Sequence, residues 1–549
     1  MPIDYGLTGV VLDEEVDLKN YTVWICDVVH GYPAWTPLYA FMFCELTSYG
    51  MQHAAELLSC PETKGWEWKI HNGYVYITAI EPKPEEVLSR GKHFQERMSA
   101  LLEDPEGNWN RDRGRIWSLY RNIQEVDIET VSACKLRELI FEVWDVFLKV
   151  HEIHFYWQYG LYSIDQLFTS ACEEFIGIKP DDPIHNKLRS GFDNTLFQIS
   201  KEMWLLGKKA DEMGLAGLFT ATVDDEQLMA QLKSSDSGRK WLTEYLEFLK
   251  SRGWRCQRMV DWATPSWIEQ PSLGLPDIRR TIAKEAFAPD VERERLAKER
   301  EQAESTVMAK VPMQKKEWFG KLLKAAEMSA SWSEDHTPYC ELAQNAVTRK
   351  VIWEVGKRFA RAGVIDEPFD VFMLMPWEIR KAIVPLERVD YRRLARWRKE
   401  EWHKALKVEP PPFLGQIAKL DQLVKKDPLI GVVGASRKVR PNFMAHICGA
   451  GGAPGIVEGN ARVVMNESDL AKVQLGEILV APFTAAPWIA VFHIVSGVVT
   501  DMGGGMSHAI IMGREFGIPV VTGTLEGTKK IKTGQRIRVD GDNMVVYVL

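Results

Sequence analysis

The sequence predicts a multidomain chain: a large, mainly helical domain followed by a small α/β domain at the C-terminus. Three observations carry this. The 549 residues exceed what one core organises, at roughly 150 residues per domain. Nineteen of the 20 tryptophans fall in residues 1–446, whereas 16 of the 40 glycines fall in residues 447–549. The apolar period is three to four residues through most of the first part and shortens to β-branched runs in the last.

In chain order, residues 66–80 (WEWKIHNGYVYITAI) carry Asn-Gly between alternating apolar residues, a hairpin signal. From about 85 to 250 the period is helical. Leu139, Val143, Phe147 and Val150 recur at helical spacing and predict a long helix over 136–162. VERERLAKEREQAES (291–305) is charged enough to be a solvated helix. A further helix is expected over 340–362, closed near Gly363. Three prolines in VEPPPFLGQ (408–416) stop helices, which sets the boundaries: residues 1–410 as the helical, Trp-rich domain, 411–446 as a linker, 447–549 as the α/β domain. GAGGAPG (449–455) reads as a flexible join. After it, GIVEGNARVVM, EILVAPF, HIVSGVVTD, IPVVTGT, RIRVD and MVVYVL are short strands, with one short helix in SHAIIMGREFG (507–517).

Composition excludes several classes. With 46% hydrophobic and 26% charged residues the chain is globular. A net charge of −8 gives no basic face, so no nucleic-acid partner is expected. Ile478–Thr500 has no charged side chain, but Pro482, Pro487, His493 and Gly497 break it into strands with turns, so no membrane partner is expected. Eight scattered cysteines without a C-x-x-C pair, and an N-terminus without a signal-peptide pattern, lead to the expectation of a cytoplasmic protein.

The chemistry concentrates in Val499-Thr500-Asp501-Met502-Gly503-Gly504-Gly505-Met506-Ser507-His508-Ala509. A strand ends at Thr500, glycines follow, and a helix begins around Ser507, an N-cap residue type. Gly503, Gly504 and Gly505 ahead of a helix N-terminus leave backbone N–H groups to cradle an anion. His508 in the first turn is placed to accept a phosphoryl group on a neutral ring nitrogen. Thr500 is a candidate hydroxyl partner for the imidazole or the phosphoryl oxygens. On the residues alone, this stretch is also readable as a glycine turn with a capping serine and an incidental histidine.

Residues 455–549 closely resemble the swivelling phosphohistidine domain of the phosphoenolpyruvate-utilising enzymes. The resemblance runs through PGIVEGNARVV, GEILVAP with Thr484 and Pro487-Trp488, GVVTDMGGGMSHAIIMGREFGIPVVTGT and GQRIRVDGD, around the core T-x-x-G-G-x-x-S-H. It implies that His508 carries the phosphoryl between a nucleotide site and an acceptor site, with Thr500 and Ser507 beside it. Neither the phosphoenolpyruvate-binding barrel nor the ATP-grasp module of the full family is recognisable in the sequence. The expectation is therefore a separate ATP-grasp subunit that binds most of the ATP and Mg2+, with no metal site assigned to this chain.

Residues 1–410 are similar, less closely, to the acceptor regions of rifampin phosphotransferases and phenylphosphate synthase-type enzymes. The resemblance runs through Trp24-x-x-Asp27-x-x-His30, Asn72-Gly73-Tyr74-x-Tyr76, Arg252-Gly253-Trp254-Arg255, Ser266-Trp267-x-Glu269-x-Pro271 and Gly363 to Leu374. Trp254 stands where such enzymes often have His. The resemblance implies transfer from His508 to an organic hydroxyl. In the phenylphosphate synthase type, the products are aryl phosphate, AMP and phosphate.

The tryptophan excess favours a phenol- or cresol-like aromatic acceptor; most of these side chains are equally expected as core. The alternatives are a natural-product or antibiotic hydroxyl, and a non-catalytic regulatory subunit. Acceptor-site candidates are His30 with Asp27 as its orienting carboxylate, His151 and His154 on one helical turn, Arg255 for phosphoryl oxygens, Glu269, and His336 in a loop-like stretch. Each is also an ordinary structural residue type in its setting.

Overall fold

The structure, a computed structural model, describes all residues except 1, 2, 4, 22, 181, 221–223, 257–259, 284–288, 384–388, 428, 431–445 and 506. The chain divides into two compact units. The first comprises Met1–Gly160, Met259–Pro265 and Tyr339–Ile430, and the second Leu161–Arg258, Ser266–Pro338 and Gly431–Leu549.

The first unit is built on strands β1 (Val23–Cys26), β2 (Trp66–His71), β3 (Tyr74–Ala79) and β4 (Phe413–Gly415), in antiparallel order β2-β3-β1-β4. The expected hairpin forms, with Asn72 and Gly73 at φ +50° and +84°, the left-handed geometry of a two-residue turn. On β2 burial alternates, so Trp66, Trp68 and Ile70 face the core. Helix Pro37–Leu58 packs on β2, and its buried Leu38, Met42, Phe43 and Met51 keep helical spacing. The long helix is longer than its apolar pattern suggested, Ala133–Ile176, and passes from the first unit into the second at Gly160. Helix Gln344–Ala362 ends at Gly363 with φ +72°, as the glycine indicated. Strand β4 and helix Leu420–Lys426 fall within the stretch expected to be a linker, and residues 431–445 of that stretch lie outside the described residues.

The second unit contains helices Thr195–Glu212, Asp236–Arg252, Leu275–Ala283, Pro289–Lys310 and Lys316–Asp335, together with the α/β domain. The charged helix forms over Pro289–Lys310 and is mostly exposed or half-buried, in line with the expected solvated helix. Leu296, Ala303 and Val307 are its buried apolar residues, a narrow stripe at seven- and four-residue spacing.

The α/β domain adds strands β5 (His446–Cys448), β6 (Gly451–Ala453), β7 (Ile456–Val463), β8 (Ile478–Ala481), β9 (Gly497–Thr500), β10 (Val520–Thr522), β11 (Arg536–Asp540) and β12 (Val545–Val548). They form one eight-stranded sheet in the order β5-β12-β11-β7-β8-β9-β10-β6. The β7-β8-β9-β10 pairings are parallel and the outer ones antiparallel. Ile478, Val480, Val499, Val521, Ile537 and Val539 form its core. Helix His508–Glu515 crosses from β9 to β10, which places its N-terminus at the carboxyl end of a parallel strand, where α/β sheets bind ligands.

GAGGAPG is not a loose join. Gly451–Ala453 is edge strand β6, paired with Val520–Thr522. A Cβ on Gly452 would sit 2.2 Å from the Gly541 carbonyl, so glycine is required there by close approach rather than by flexibility. Ile478–Thr500 is resolved into β8, a short helix Ile489–Phe492 and β9; among the described residues no helix is long and apolar enough to cross a membrane.

Candidate functional site

In the α/β domain the His508 ring is half-buried at the first turn of its helix, edge-on to Phe492 with centroids 5.7 Å apart. Its Nδ1 lies 2.9 Å from the hydroxyl of Thr484. Thr484 is buried on the loop after β8, so a neighbouring strand supplies the group that orients the imidazole. In the tautomer whose Nδ1–H donates to Thr484, the ring lone pair sits on Nε2. Replacing Thr484 by valine is expected to slow phosphorylation of His508 by about ten- to a hundredfold, because the ring loses its tautomer and orientation. Label incorporation measured alongside an unchanged circular-dichroism spectrum checks this.

Thr500 does not take that role. Its hydroxyl is buried and donates to the Met502 carbonyl at 2.7 Å, tying the strand end to the loop. The loop is pinned further by Asp501, whose carboxylate receives Thr524 Oγ1 at 3.1 Å, Thr528 N at 3.0 Å and the Thr528 hydroxyl. Burial pushes the Asp501 carboxyl up, and the bonds from Thr528 and Thr524 pull the other way. Ser507 occupies the N-cap position, but its side chain makes no capping bond. Its hydroxyl is buried and has no hydrogen-bond partner among the described residues.

Gly503 has φ +116°, and a Cβ there would meet Ser507 Oγ at 2.8 Å. Gly503→Ala is therefore expected to cost about 2 kcal/mol from strain plus clash, read as a lower urea midpoint. Gly504 is buried and Gly505 is exposed. A Cβ on Gly505 would meet nothing within 4 Å.

A second cation behind this loop escaped the sequence reading. Arg514, six residues after His508, donates through Nη2 to the Gly505 carbonyl at 3.0 Å and through Nε to the Ile510 carbonyl at 3.3 Å. Burial, then the charge of Arg189, lowers its pKa to about 10; Glu515, Asp165 and Glu334 oppose them. It remains a cation at neutral pH. The neighbouring Glu515 carboxylate accepts the Gly191 amide at 3.1 and 3.2 Å, and His493 Nε2 lies 2.6 Å from Ser200 Oγ. Through these contacts the α/β domain rests on the helical part of the second unit.

Of the acceptor candidates, four lie in the first unit. Asp27 is fully buried and caps helix Val28–Gly31, accepting Val29 N and His30 N at 3.1 Å each through Oδ1. Its Oδ2 lies 2.7 Å from His30 Nδ1. Burial opposes the charge on His30, but Asp27 outweighs it, with a smaller contribution from Glu341, and the pKa rises to about 9. The Asp27 carboxylate therefore favours the protonated form of His30 at neutral pH.

His151 is the opposite case. Burial, with a minor contribution from His30, lowers its pKa to about 4, against a hydrogen bond from its own Nδ1–H to the Phe147 carbonyl at 2.9 Å and the charge of Glu341. Phe147 stacks on the His151 ring at 4.2 Å, and Phe43 contacts both His151 and Trp68, which in turn meets His30. His30 and His151 thus belong to one aromatic cluster and have their pKa values pushed in opposite directions. His154 stacks on Phe155, one turn along the same helix.

Arg255, Glu269 and His336 lie in the second unit. The Glu269 carboxylate is engaged by Ser266 N and Oγ, both at 2.8 Å, in a local turn. His336 is not in a loop. It caps helix Lys316–Asp335, stacks on Trp332 at 4.4 Å and places Nδ1 3.0 Å from the Trp332 carbonyl. The chain then enters a π turn, Pro338–Ala343.

Residues 158–348 match the rifampicin phosphotransferase fourth domain, and residues 473–544 the mobile domain of PEP-utilising enzymes. Over 96% of its length the chain is 27% identical to chondramide synthase cmdD of Chondromyces crocatus, covering 14% of that protein. It is 25% identical to the uncharacterized phosphotransferase YvkC of Bacillus subtilis over 94% of this chain and 60% of that one. To the rifampicin phosphotransferase of Bacillus subtilis it is 29% identical over 58% of this chain and 36% of that protein. The chain thus spans 60% or less of the length of these relatives.

Proposed function

From a chain that joins a PEP-utilising mobile domain to a rifampicin phosphotransferase fourth domain, we propose a phosphotransferase that carries a phosphoryl group on His508 and delivers it to an organic hydroxyl. The observation that carries the reading is the Thr484–His508 pair at the carboxyl end of β9, beside a glycine loop. In the proposed step Nε2 attacks phosphorus, the N–P bond forms as the P–O bond of the donor breaks, and Nδ1–H stays with Thr484. The glycine-loop amides and Arg514 favour the negative charge of the phosphoryl group. The donor is ATP, bound with Mg2+ on an ATP-grasp module, in our reading a separate subunit. In β-phosphoryl use, attack of Nε2 on the β-phosphorus displaces AMP, and water then cleaves the β–γ bridge to release phosphate, leaving the β-phosphoryl on His508.

The preferred acceptor is a natural-product hydroxyl, supported by the match to the rifampicin phosphotransferase fourth domain and by the rifampicin phosphotransferases among the relatives. A phenol- or cresol-sized acceptor is the second reading, favoured by the small aromatic cluster around His30 and His151. There, His151 would accept the hydroxyl proton and the His30 imidazolium would steady the phosphoryl oxygens. The test is transfer of label from phosphorylated protein to acceptors. Rifampicin-type macrocycles becoming labelled supports the first reading, and phenol or cresols the second. A protein that takes up no label with an ATP-grasp donor overturns both and leaves a docking subunit.

A further inference from the structure

Arg255 has a second, unassigned setting. In the second unit Cys256 bridges Ser266, Trp267 N donates to the Arg255 carbonyl at 3.0 Å, and Ile268 N to the Gly253 carbonyl at 3.1 Å. This clasp holds the Arg255 guanidinium 4.4 Å over the Trp267 ring. The residue is 2% exposed, yet Nε, Nη1 and Nη2 have no hydrogen-bond acceptor among the described residues. The nearby carboxylates are matched elsewhere: Asp277 to Arg280 at 2.5 Å, and Asp225 to Arg279 at 3.4 Å. Asp277 acts on Arg255 only as a neighbouring charge, and burial is the larger influence on the guanidinium. A buried guanidinium with an empty donor fork is a costly arrangement, and proteins rarely retain one without an acceptor.

The guanidinium borders a cavity of about 140 Å³, lined on the helical side by Trp267, Leu273, Arg280 and the arginine-paired Asp225 and Asp277, and on the α/β side by Glu467, Leu470 and Pro487. That volume accommodates one phosphate or one short carboxylic acid. We propose that this cavity binds a small oxyanion in the plane of the Arg255 fork, with the Trp267 ring covering the guanidinium face. Two parallel N–H···O bonds to one oxyanion are the geometry that distinguishes arginine from lysine. Such a ligand would touch both the helical segment and the α/β domain of the second unit. The site is independent of phosphoryl transfer through His508, so either proposal can fail alone.

The test is equilibrium dialysis of the full chain against ³²P-labelled inorganic phosphate, with acetate as competitor. One saturable site is expected. Arg255→Lys, which keeps the charge and loses the fork, is expected to weaken it by about tenfold or more. Ala471→Leu, at an exposed position on the cavity wall, is expected to abolish binding without disturbing the buried arginine. His508→Ala is expected to bind phosphate like the unaltered chain. Competition by acetate at similar concentration identifies a general oxyanion site, and lack of it a phosphate site. No saturable binding, or binding unchanged in both Arg255→Lys and Ala471→Leu, overturns the proposal.

Discussion

Replacing His508 by alanine is expected to remove phosphoryl uptake altogether, a loss on the order of 10⁴ or more in rate, because the nucleophile itself is gone. The fold should survive. The ring is half-buried, it meets the Thr484 hydroxyl and the Phe492 edge, and the sheet core lies elsewhere. His508→Gln separates chemistry from packing: it keeps a polar side chain near Thr484 but has no nucleophilic nitrogen, so it should be as inactive as alanine. Mass spectrometry of the intact chain reads the outcome, as an acid-labile added phosphoryl group present in the unaltered protein and absent from both variants. Uptake persisting at the original rate in either variant would move the carrier to another residue.

The second large effect is expected at Asp27→Asn. Asparagine caps a helix about as well as aspartate, so the bonds to Val29 N and His30 N can persist. What is lost is the negative charge 2.7 Å from His30 Nδ1. The folded-state pKa of His30, raised to about 9, should fall to the ordinary histidine value or below, since burial then acts unopposed by Asp27. The sign of the stability effect follows. A raised folded pKa contributes stability that is fully present below the unfolded value near 6.5 and is lost as pH rises through about 9. The variant should therefore be less stable by about 3 kcal/mol at pH 6, with the gap narrowing by pH 10. Urea denaturation at the two pH values measures the gap, and an NMR titration of the His30 ring reports the pKa. A gap of equal size at pH 6 and pH 10, or none at either, would show that the Asp27 charge does not set the His30 pKa.

Much of the C-terminal domain was legible because its signals are local. β-branched runs, glycine-rich turns and a serine–histidine helix start lie within a few residues of what they specify, and β9, the loop and helix His508–Glu515 form where those signals stand. The imidazole partner was not legible in that way. Thr484 and His508 are 24 residues apart and meet only because β8 and β9 pair in parallel, so the nearer hydroxyl, Thr500, was the natural sequence candidate. Arg514 was hidden for a similar reason, since its interaction with the Gly505 carbonyl depends on the loop folding back over the helix.

GAGGAPG misled because glycine signals flexibility in sequence but, at Gly452, records backbone contact with Gly541. His336 was expected in a loop-like stretch because Thr337-Pro338 resembles a helix stop. There the helix instead adopts a π turn, and the Tyr339 carbonyl accepts the Tyr120 hydroxyl at 2.6 Å. The Asp27–His30 spacing correctly put carboxylate and imidazole together, yet the protonation state depends on a balance between burial and charge that spacing does not encode.

Position-specific labelling tests most directly the proposal that His508 is a phosphoryl carrier. The chain is incubated with an ATP-grasp donor protein and ATP labelled with ³²P at either the β or the γ position. The expected result is label from the β position only, acid-labile and base-stable, recovered on the peptide containing His508 and absent from His508→Ala. Label on another peptide, or uptake that persists in His508→Ala, would contradict it.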